Sequence, residues 1–456
     1  MQNRIYINQV KAYNGQLVKL CGFVHEVRDT KKMQFVVLRD ISGDIQLTIF
    51  KNEESSHLNT LVSSLNTQSS IIVLGTVNVD DYVKLGGVEI HAKEIVVVNE
   101  SASPIPIDMK GIQESSKDIR ADWRFLDLRD NKKQLIFKIQ TTILNAMREF
   151  WAKFNFIELN SPKLVATPSE GGAELFCLDY FGKQAYLAQS PQVYKQMAIA
   201  AGFDRVYEIA AAYRADKSHT NRHVTEFVSV DVEMAWIDSV SDVMEHQENW
   251  LKYVLKTIQE KHHKEILESF DIDIVVPSNQ FVRLTMTQAK QIVKESGYIV
   301  PETTKGDLDP QAERILGAYA KDKYKSDFVF VTEYPVSVRP FYHMYSDDSK
   351  YTYSFDLLYN GIEVSTGAQR EHRFLKVAKQ AVSKGVLPKD AISKNDEVDY
   401  SKLPIGMDNY FDCFKYGCPP HGGFGFGLSR FVMQILGLDN VKEAMFLSRT
   451  VDRITP

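Results

Sequence analysis

The sequence predicts an α+β protein with an N-terminal five-stranded β-barrel and a larger second domain built on an antiparallel sheet flanked by helices. Three observations support this prediction. Five short runs of alternating, β-branched residues lie between residues 17 and 98, a polar stretch with prolines follows at 99–112, and strand-like runs then alternate with helical ones. Runs of period two predict half-buried strands, and the later mixture of strands and helices predicts a separate α+β domain.

The composition is that of an ordinary large globular protein. The chain has 456 residues, 44% of them hydrophobic, and a formal net charge of -5. At roughly 150 residues per domain, this length allows two or three domains. A slightly acidic chain is not coated with positive charge, so any nucleic-acid partner would be recognised by a local surface.

The sequence also predicts a cytoplasmic protein that does not enter a membrane. The first fifteen residues, "MQNRIYINQVKAYNG", are polar throughout, and no stretch reaches the roughly 18 apolar residues of a membrane span. The cysteines lack the spacing of a metal site and are interpreted as reduced thiols. They are Cys21, Cys177, Cys413 and Cys418.

The barrel is the first predicted element. Its five runs are "QLVKLCGFVHEV", "QFVVLRD", "DIQLTIF", "SSIIVLGTV" and "GGVEIHAKEIVVV", separated by turns such as "ISGD" and "KLGG". This pattern favours an OB-fold, with a β-sandwich as the open alternative. We assign residues 1–103 to the barrel, 104–130 to a linker and 131–456 to the second domain. Pro104 and Pro106 indicate that the linker is semi-rigid.

An amphipathic helix opens the second domain. Apolar residues recur at helical spacing in "NKKQLIFKIQTTILNAMREFWAK", which predicts a face packed on a core or an interface. The helix runs into the strand-like "FIELNSPKL". Further helices are predicted near 240–265 and 371–386, between strands such as "EFVSVDVEMAW" and "FVFVTEY".

A strand–loop–strand segment, "RVYEIAAAYRADKSHTNRHVTEFVSVDVEMAW", concentrates its cations in the loop. Arginine offers paired donors to phosphate oxygens, and Phe227 could stack on a base, so the loop is suited to hold a triphosphate. A solvated hairpin tip is the alternative that these residues alone leave open.

Two further segments could complete a phosphate site. In "FDLLYNGIEVSTGAQR", Asp356 and Glu363 lie on a predicted hairpin, and carboxylates beside a phosphate are usual Mg²⁺ ligands. An unremarkable surface hairpin is the alternative. In "HGGFGFGLSRFVMQILG", glycines allow a ligand to approach the backbone closely, ahead of a predicted helix with Arg430 in its first turn.

Together these segments resemble the three signature motifs of class II aminoacyl-tRNA synthetases, and more closely those of aspartyl-tRNA synthetases of the archaeal and eukaryotic type. Motif 1 corresponds to the long helix with "ELNSPKL", motif 2 to "VYEIAAAYRADKSHTNRHVTEFVSVDVEMA" and motif 3 to "GFGLSRFVM". The stretches "TPSEGGAELF", "QSPQVYKQ" and "GAQR" fit the aspartyl enzymes. The resemblance covers essentially the whole chain, and it implies ATP-dependent joining of L-aspartate to tRNA, Mg²⁺ on the triphosphate, and a homodimer formed through motif 1.

The resemblance also implies roles for individual residues, with Arg214 and Arg430 acting in catalysis. The ATP site would comprise Arg214, Ala215, Asp216, Arg222, His223, Val224, Phe227, Glu363, Gly427, Leu428, Ser429 and Arg430. The aspartate site would comprise Ser169, Glu170, Gln192, Val193, Tyr194, Lys195, Arg214, Asp231, Thr366 and Arg370. Lys195 and Arg370 would grip the side-chain carboxylate of the substrate. Magnesium would bind Asp356, Glu363 and Thr366.

For the barrel, the resemblance implies anticodon recognition. The residues at matching positions are Arg28, Phe35, Gln46 and Glu89. Phe35 in "QFVVL" could instead belong to the core. His25 and Leu85 stand at positions linked to the choice between aspartate tRNA and asparagine tRNA. His25 resembles the relaxed type, whereas Leu85 does not carry the proline often seen there, so both alternatives stay open.

The sequence departs from the family pattern at two positions of the implied ATP site. Ser429 stands where motif 3 normally has an acidic residue, and Asp216 is shorter than the usual glutamate. Two other functions also stay open: an asparaginyl-tRNA synthetase, and a catalytically retired paralogue that binds tRNA. The chain has the residues implied for binding ATP, magnesium and aspartate together, which favours the active aspartyl enzyme.

Overall fold

The structure is a computed structural model that describes residues 3–109, 115–167, 174–218, 220–304 and 306–456. The chain divides into two compact units, Met1–Leu135 and Ile136–Pro456.

The first unit contains a closed barrel. Its strands are β1 (Leu17–Asp29), β2 (Met33–Asp40), β3 (Gly43–Phe50), β4 (Ser70–Val79) and β5 (Val88–Asn99), in the order β1-β2-β3-β5-β4. Strands β3 and β5 are parallel, and the other neighbours are antiparallel. Alternate apolar residues such as Leu20, Val36 and Leu47 are at most 1% exposed and fill the interior. The predicted OB-fold barrel is therefore confirmed, and closure of the sheet excludes the β-sandwich.

Short helices accompany the barrel in the first unit. They are a 3-10 helix (Ile7–Tyr13), α1 (Ser56–Ser63), α2 (Lys117–Asp122) and α3 (Arg124–Asp127). The last two fall within the predicted linker, so that stretch includes regular structure. The proposed domain limits at residues 103 and 130 stay predictions.

The second unit is built on an eight-stranded sheet. Its strands, in spatial order, are β12 (Val282–Thr285), β13 (Phe328–Thr332), β14 (Ser354–Tyr359), β15 (Ile362–Gln369), β16 (His421–Gly427), β11 (Glu226–Ala235), β10 (Arg205–Tyr213) and β6 (Ile157–Glu158). The six central strands are antiparallel, as predicted, while β12 and β6 join the edges in parallel. A small separate sheet consists of β7 (Leu164–Val165), β8 (Cys177–Tyr180) and β9 (Lys183–Leu187).

Helices flank this sheet. They are α4 (Asn131–Lys153), α5 (Gln192–Ala200), α6 (Val240–Phe270), α7 (Met286–Glu295), α8 (Pro310–Tyr324), α9 (Phe374–Ser383), α10 (Met407–Lys415) and α11 (Leu428–Ile435), with 3-10 turns at Glu302–Thr304, Val336–Val338, Tyr400–Lys402 and Val441–Ala444. The predicted apolar stripe of α4 is buried, and Trp151 stacks on Trp250 of α6 with ring centroids 5.0 Å apart. In the part of the chain that the structure describes, we find no helix with the length and hydropathy needed to cross a membrane.

Strand β16 was not predicted from the sequence, because "HGGFGFG" is rich in glycine, a residue that weakens strands. Close packing explains the glycines. A Cβ atom at Gly423 would lie 2.0 Å from the carbonyl oxygen of Val232 and 2.3 Å from Glu233 Oε2. Glycine at position 423 therefore allows β16 to pair with β11 while leaving room for the Val232 carbonyl and the buried Glu233 carboxylate.

Candidate active site

A cavity of about 310 Å³ lies against the central strands of the eight-stranded sheet. Most of the residues implied for the ATP and aspartate sites line it. These residues are Gln192, Arg214, Asp216, Arg222, His223, Val224, Phe227, Asp231, Glu363, Thr366, Arg370, Gly427, Ser429 and Arg430. Segments far apart in the sequence thus meet at one site.

Six of the implied residues that the structure describes do not line this cavity. Val193 packs against a hydrophobic core, Leu428 is fully buried, and Tyr194 is half-buried on α5. Ala215 lines a neighbouring surface pocket with Asp216 and Lys217. The remaining two, Lys195 and Asp356, are buried beside the cavity and are described below. Ser169 and Glu170 lie outside the described residues.

Three arginines define the cationic side of the cavity. The guanidinium of Arg214 lies 5.4 Å from the centroid of the Phe227 ring. Arg430 donates from Nη1 to the backbone oxygen of Glu363 at 3.1 Å and from Nε to that of Arg222 at 3.4 Å. Motif 3 is therefore bonded to both motif 2 and the β14–β15 hairpin. Such a set of guanidinium groups is suited to bind a polyphosphate.

The loop between β10 and β11 is held by its own polar side chains. The carboxylate of Asp216 accepts a hydrogen bond from the backbone N–H of Ser218 at 2.8 Å, and His223 Nδ1 lies 2.5 Å from Thr220 Oγ1. Burial, together with Arg430 and Arg222, lowers the pKa of His223. His223 is therefore a neutral ring at neutral pH, available for hydrogen bonding rather than for charge pairing.

Arg222 has a buried partner that the sequence did not indicate. Its Nη1 donates to Glu313 Oε2 at 2.8 Å, and Glu313 is 7% exposed. Helix α8 brings Glu313 here because Gly317 packs on Gly361 so closely that a Cβ at residue 317 would lie 2.5 Å from the Gly361 nitrogen. Burial and the charge of Glu363 raise the pKa of Glu313 to about 7, although Arg222 opposes the shift.

Glu313→Gln should change how stability depends on pH. The pKa of Glu313 rises from 4.5 to about 7 on folding, so the folded protein holds this proton more tightly and loses stability as pH rises through that window. Without nucleotide or Mg²⁺, the unfolding free energy of the variant minus that of the parent should increase with pH by up to about 1.4 kcal/mol per unit. Urea titrations from about pH 5 to pH 8 measure this difference. The exposed Glu295→Gln is the control, and a pH-independent difference would contradict the prediction.

The implied magnesium ligands lie on the β14–β15 hairpin, whose tight turn uses Asn360 and Gly361 with positive φ. Asp356 and Thr366 face each other across the two strands. Burial and Glu363 raise the pKa of Asp356, although Arg339 pairs with it at 2.7 Å. Burial alone would raise the pKa of Glu363, but Arg430, Arg339 and Arg214 lower it.

This donor set fits a hard divalent cation. It supplies two carboxylates and a hydroxyl, which are the oxygen ligands that Mg²⁺ prefers. Asp356 Oδ1 is buried and has no hydrogen-bond partner among the described residues, so it has lone pairs to offer. Within the same described part of the chain, no three His, Cys, Asp or Glu side chains form a group suited to a metal.

The implied aspartate-binding cations are already paired with buried carboxylates. Arg370 donates to both oxygens of Glu233 at 2.8 and 3.2 Å, and Lys195 Nζ lies 3.3 Å from Glu233 Oε2. Lys195 also donates to Asp231 Oδ1 at 3.1 Å. The sequence suggested two cations without counter-charge, but the four buried side chains form a balanced cluster of two cations and two anions.

Sequence reasoning missed Glu233 and Glu313. Glu233 could have been found, because it lies two residues after Asp231 on a mostly apolar strand and so shares its face. Glu313 gave no such signal, since a glutamate in an amphipathic helix is ordinary. The cavity lining also includes Glu174, Ser190 and His343, to which the sequence assigned no role.

In the first unit, the four residues implied for anticodon recognition form one continuous group on β1, β2, β3 and β5. The guanidinium of Arg28 lies 5.7 Å from the Phe35 ring centroid, and its Nη2 donates to Gln46 Oε1 at 3.2 Å. Gln46 Nε2 donates to Glu89 Oε2 at 3.0 Å. Phe35 is partly exposed rather than part of the barrel core. An aromatic face beside fixed polar groups is suited to stacking and edge recognition of a base.

The two positions linked to tRNA choice lie on different elements of the barrel. His25 is half-buried on β1, beside an irregularity in pairing between Val24 and Glu26. Burial, with Arg39, lowers the pKa of His25. Leu85 lies in the turn between β4 and β5.

An OB-fold barrel in one unit and a cation-lined cavity on an antiparallel sheet in the other are typical of an enzyme that uses a nucleotide and binds a nucleic acid. Residues 116–451 match the family model for class II tRNA synthetases (D, K and N), and residues 18–98 match that for the OB-fold nucleic acid binding domain. The chain belongs to the class II tRNA synthetases of this D, K and N family.

Individual relatives are similar over nearly their whole length. The chain is 41% identical to the aspartate–tRNA(Asp/Asn) ligase of Methanopyrus kandleri over 97% of both chains. It is 37% identical to the aspartate–tRNA(Asp) ligase of Pyrococcus horikoshii over 99% of both. Among solved structures, asparaginyl-tRNA synthetase from Pyrococcus horikoshii complexed with asparaginyl-adenylate superposes with a TM-score of 0.89 at 31% identity and full coverage of both chains. These findings confirm the resemblance drawn from the motifs.

Proposed function

We propose that this protein is an aspartate–tRNA ligase, which activates L-aspartate with ATP and transfers the aspartyl group to the 3′ end of aspartate tRNA. The observation that carries this proposal is that the arginines of motifs 2 and 3 line the same cavity as Asp231 and Arg370, which belong to the buried charge cluster with Glu233. The relatives that are 37% and 41% identical over nearly the whole chain are aspartate ligases, which favours aspartate.

The first step needs no nucleophile from the protein. The α-carboxylate of aspartate attacks the α-phosphorus of ATP, the bond to the bridging oxygen breaks, and pyrophosphate leaves. Arg214 stabilises the charge that develops on the α-phosphate, and Arg222 and Arg430 hold the rest of the nucleotide beside Phe227. The 3′-hydroxyl of the terminal adenosine of tRNA then attacks the aspartyl carbonyl, and AMP leaves.

Magnesium would be held by Asp356, Glu363 and Thr366, where it would neutralise charge on the triphosphate. The chain's own contribution at this point is positive charge beside both carboxylates. Arg430 and Arg339 lower the pKa of Glu363, and Arg339 pairs with Asp356 and opposes the rise in its pKa. Ser169 and Glu170, together with Gln192 and Asp231, would hold the substrate aspartate near Arg370.

In the barrel, Arg28, Phe35, Gln46 and Glu89 would bind the anticodon. A second candidate function is charging of both aspartate and asparagine tRNAs, which is favoured by His25 and by the dual specificity in the name of the Methanopyrus kandleri relative.

We further propose that the protein is cytoplasmic and that it forms a homodimer joined through motif 1. The dimer is supported by exposed apolar side chains that follow α4, at Phe154, Ile157 and Leu164. Sedimentation at micromolar concentration tests this assembly.

Substrate-dependent exchange of pyrophosphate into ATP tests the activity. Aspartate should support exchange at least about 100-fold better than asparagine, because the neutral amide of asparagine cannot accept the charge-assisted hydrogen bonds that a carboxylate accepts from Arg370. Exchange driven by asparagine alone would instead assign an asparaginyl enzyme. Exchange with neither amino acid, in folded protein, would assign a retired paralogue. Charging purified aspartate and asparagine tRNAs side by side then decides tRNA choice.

A further inference from the structure

We propose that Gln196 and His421 are positioning residues that fix the orientation of the Gln192 amide, so that its carbonyl oxygen faces the α-ammonium group of the amino-acid substrate. This inference rests on the proposed function. Gln192 lines the cavity, whereas Gln196 and His421 are 1% and 0% exposed and are not part of its lining. Their effect would pass through hydrogen bonds that run from β16 to α5.

The hydrogen-bond series begins at a backbone carbonyl, which determines which nitrogen of the His421 ring carries the proton. His421 Nδ1 lies 2.8 Å from the carbonyl oxygen of Pro419, which can only accept a hydrogen bond, so Nδ1 must carry a proton. The Cys418 sulfur, 3.7 Å from the same nitrogen, is compatible with this assignment because sulfur is a weak acceptor. Burial lowers the pKa of His421 to about 4, so the ring is neutral near pH 7 and Nε2 is an acceptor.

The next group in the chain of hydrogen bonds is Gln196. Its Nε2 lies 3.0 Å from His421 Nε2, so Gln196 must donate there and must keep its Oε1 on the opposite side. That oxygen accepts from Gln192 Nε2 at 3.0 Å and from the Tyr410 hydroxyl at 3.0 Å. Each amide in the series is therefore held in one of its two possible orientations.

The consequence for a ligand lies at Gln192. Because Gln192 Nε2 is turned towards Gln196, to which it donates one of its two N–H groups, the carbonyl oxygen on the other side of the same amide is the acceptor that Gln192 can offer to the cavity. An ammonium group has three donors and no acceptor, so it requires such an oxygen. The reversed amide would direct its N–H groups at the ammonium and would lose the hydrogen bond.

Gln196→Met tests the relay, the series of hydrogen bonds that links His421, Gln196 and Gln192. Methionine has a similar shape to glutamine but neither donates nor accepts hydrogen bonds strongly. The KM for aspartate in pyrophosphate exchange should rise about tenfold or more, the range expected for a hydrogen bond to a charged group, while the KM for ATP stays within about twofold. Inhibition by succinate, which is aspartate without its amino group, should also stay within about twofold. Gln196→Glu retains an acceptor for Gln192 and, with a proton shared between its carboxyl group and His421 Nε2, keeps the hydrogen bond to that ring, so the aspartate KM should stay within about threefold of the parent.

The controls separate orientation from packing and from the assigned activity. Gln259→Leu on α6 removes a side-chain hydrogen bond to the carbonyl of Ile274 and should leave all three constants unchanged. An unchanged aspartate KM in folded Gln196→Met, or equal weakening of aspartate and succinate, would overturn the relay. If the methionine variant does not fold, a tenfold rise in the aspartate KM of Gln196→Glu overturns it instead. Absence of aspartate-dependent exchange in the parent protein would refute the proposed function, a result distinct from either.

Discussion

Arg214→Ala should lower the rate of aspartate-dependent pyrophosphate exchange by about 100- to 1000-fold. Arg214 lines the cavity beside Phe227, and as the proposed ligand of the α-phosphate it would stabilise the additional charge that develops in the transition state. Arg214→Lys keeps the charge but lacks the planar pair of donors, so its rate should fall between those of the alanine variant and the parent protein. Steady-state exchange at saturating aspartate and ATP measures both effects.

Arg205→Ala is the matched control for this experiment. Arg205 begins the same strand, β10, and its exposed side chain donates to the carbonyl of Phe154 at 3.1 Å, away from the cavity. Its exchange rate should stay within about twofold of the parent, as expected for a surface substitution. The backbone N–H of Arg214 bonds to the carbonyl of Thr225, so the alanine variant keeps this strand pairing. A folded Arg214→Ala protein with exchange within tenfold of the parent would contradict the proposed role.

Local sequence pattern was sufficient to predict much of the fold. Alternation predicted the barrel strands and the β10–β11 segment, and the hairpin predicted in "FDLLYNGIEVSTGAQR" is formed by β14 and β15, with Asn360 and Gly361 at positive φ in its turn. Strand β16 could not be predicted in this way. Its glycines serve contacts with Val232 and Glu233 on a strand nearly 200 residues away in the sequence, and no local pattern reports such packing.

The site shows the same division between local and long-range information. The motifs named the residues that line the cavity, but they did not reveal what each side chain contacts. Arg222 meets Glu313 because α8 packs on the hairpin through Gly317 and Gly361, and Arg370 meets Glu233 because β15, β16 and β11 are neighbours. These pairings depend on sheet order and helix packing. They determine the charge balance of the site, which cannot be read from the motif residues alone.

Charge balance also changes how substrate selection is explained. Lys195 and Arg370 are not free cations awaiting a carboxylate, because Glu233 contacts both and Asp231 accepts from Lys195. A carboxylate that enters beside Arg370 would add a negative charge to a neutral cluster, and an ammonium group near Asp231 would compensate it. We infer that aspartate is selected as a whole zwitterion with a charged side chain, rather than through its side chain alone.

Glu233→Gln should therefore destabilise the folded protein by about 3–5 kcal/mol, because it leaves the Arg370 and Lys195 charges with one buried carboxylate between them. The measurement is the urea dependence of unfolding near pH 7. Burial alone would raise the pKa of Glu233, but Arg370 and Lys195 lower it below 4.5, so its stabilising contribution is complete above that pH and is lost on acidification. The difference between variant and parent should accordingly shrink below about pH 4.5.

Glu245→Gln, at a side chain 56% exposed, is the control and should change stability by less than about 0.5 kcal/mol. Equal stability of Glu233→Gln and the parent at pH 7 would mean that the cluster tolerates an unbalanced charge, against the argument made from its geometry.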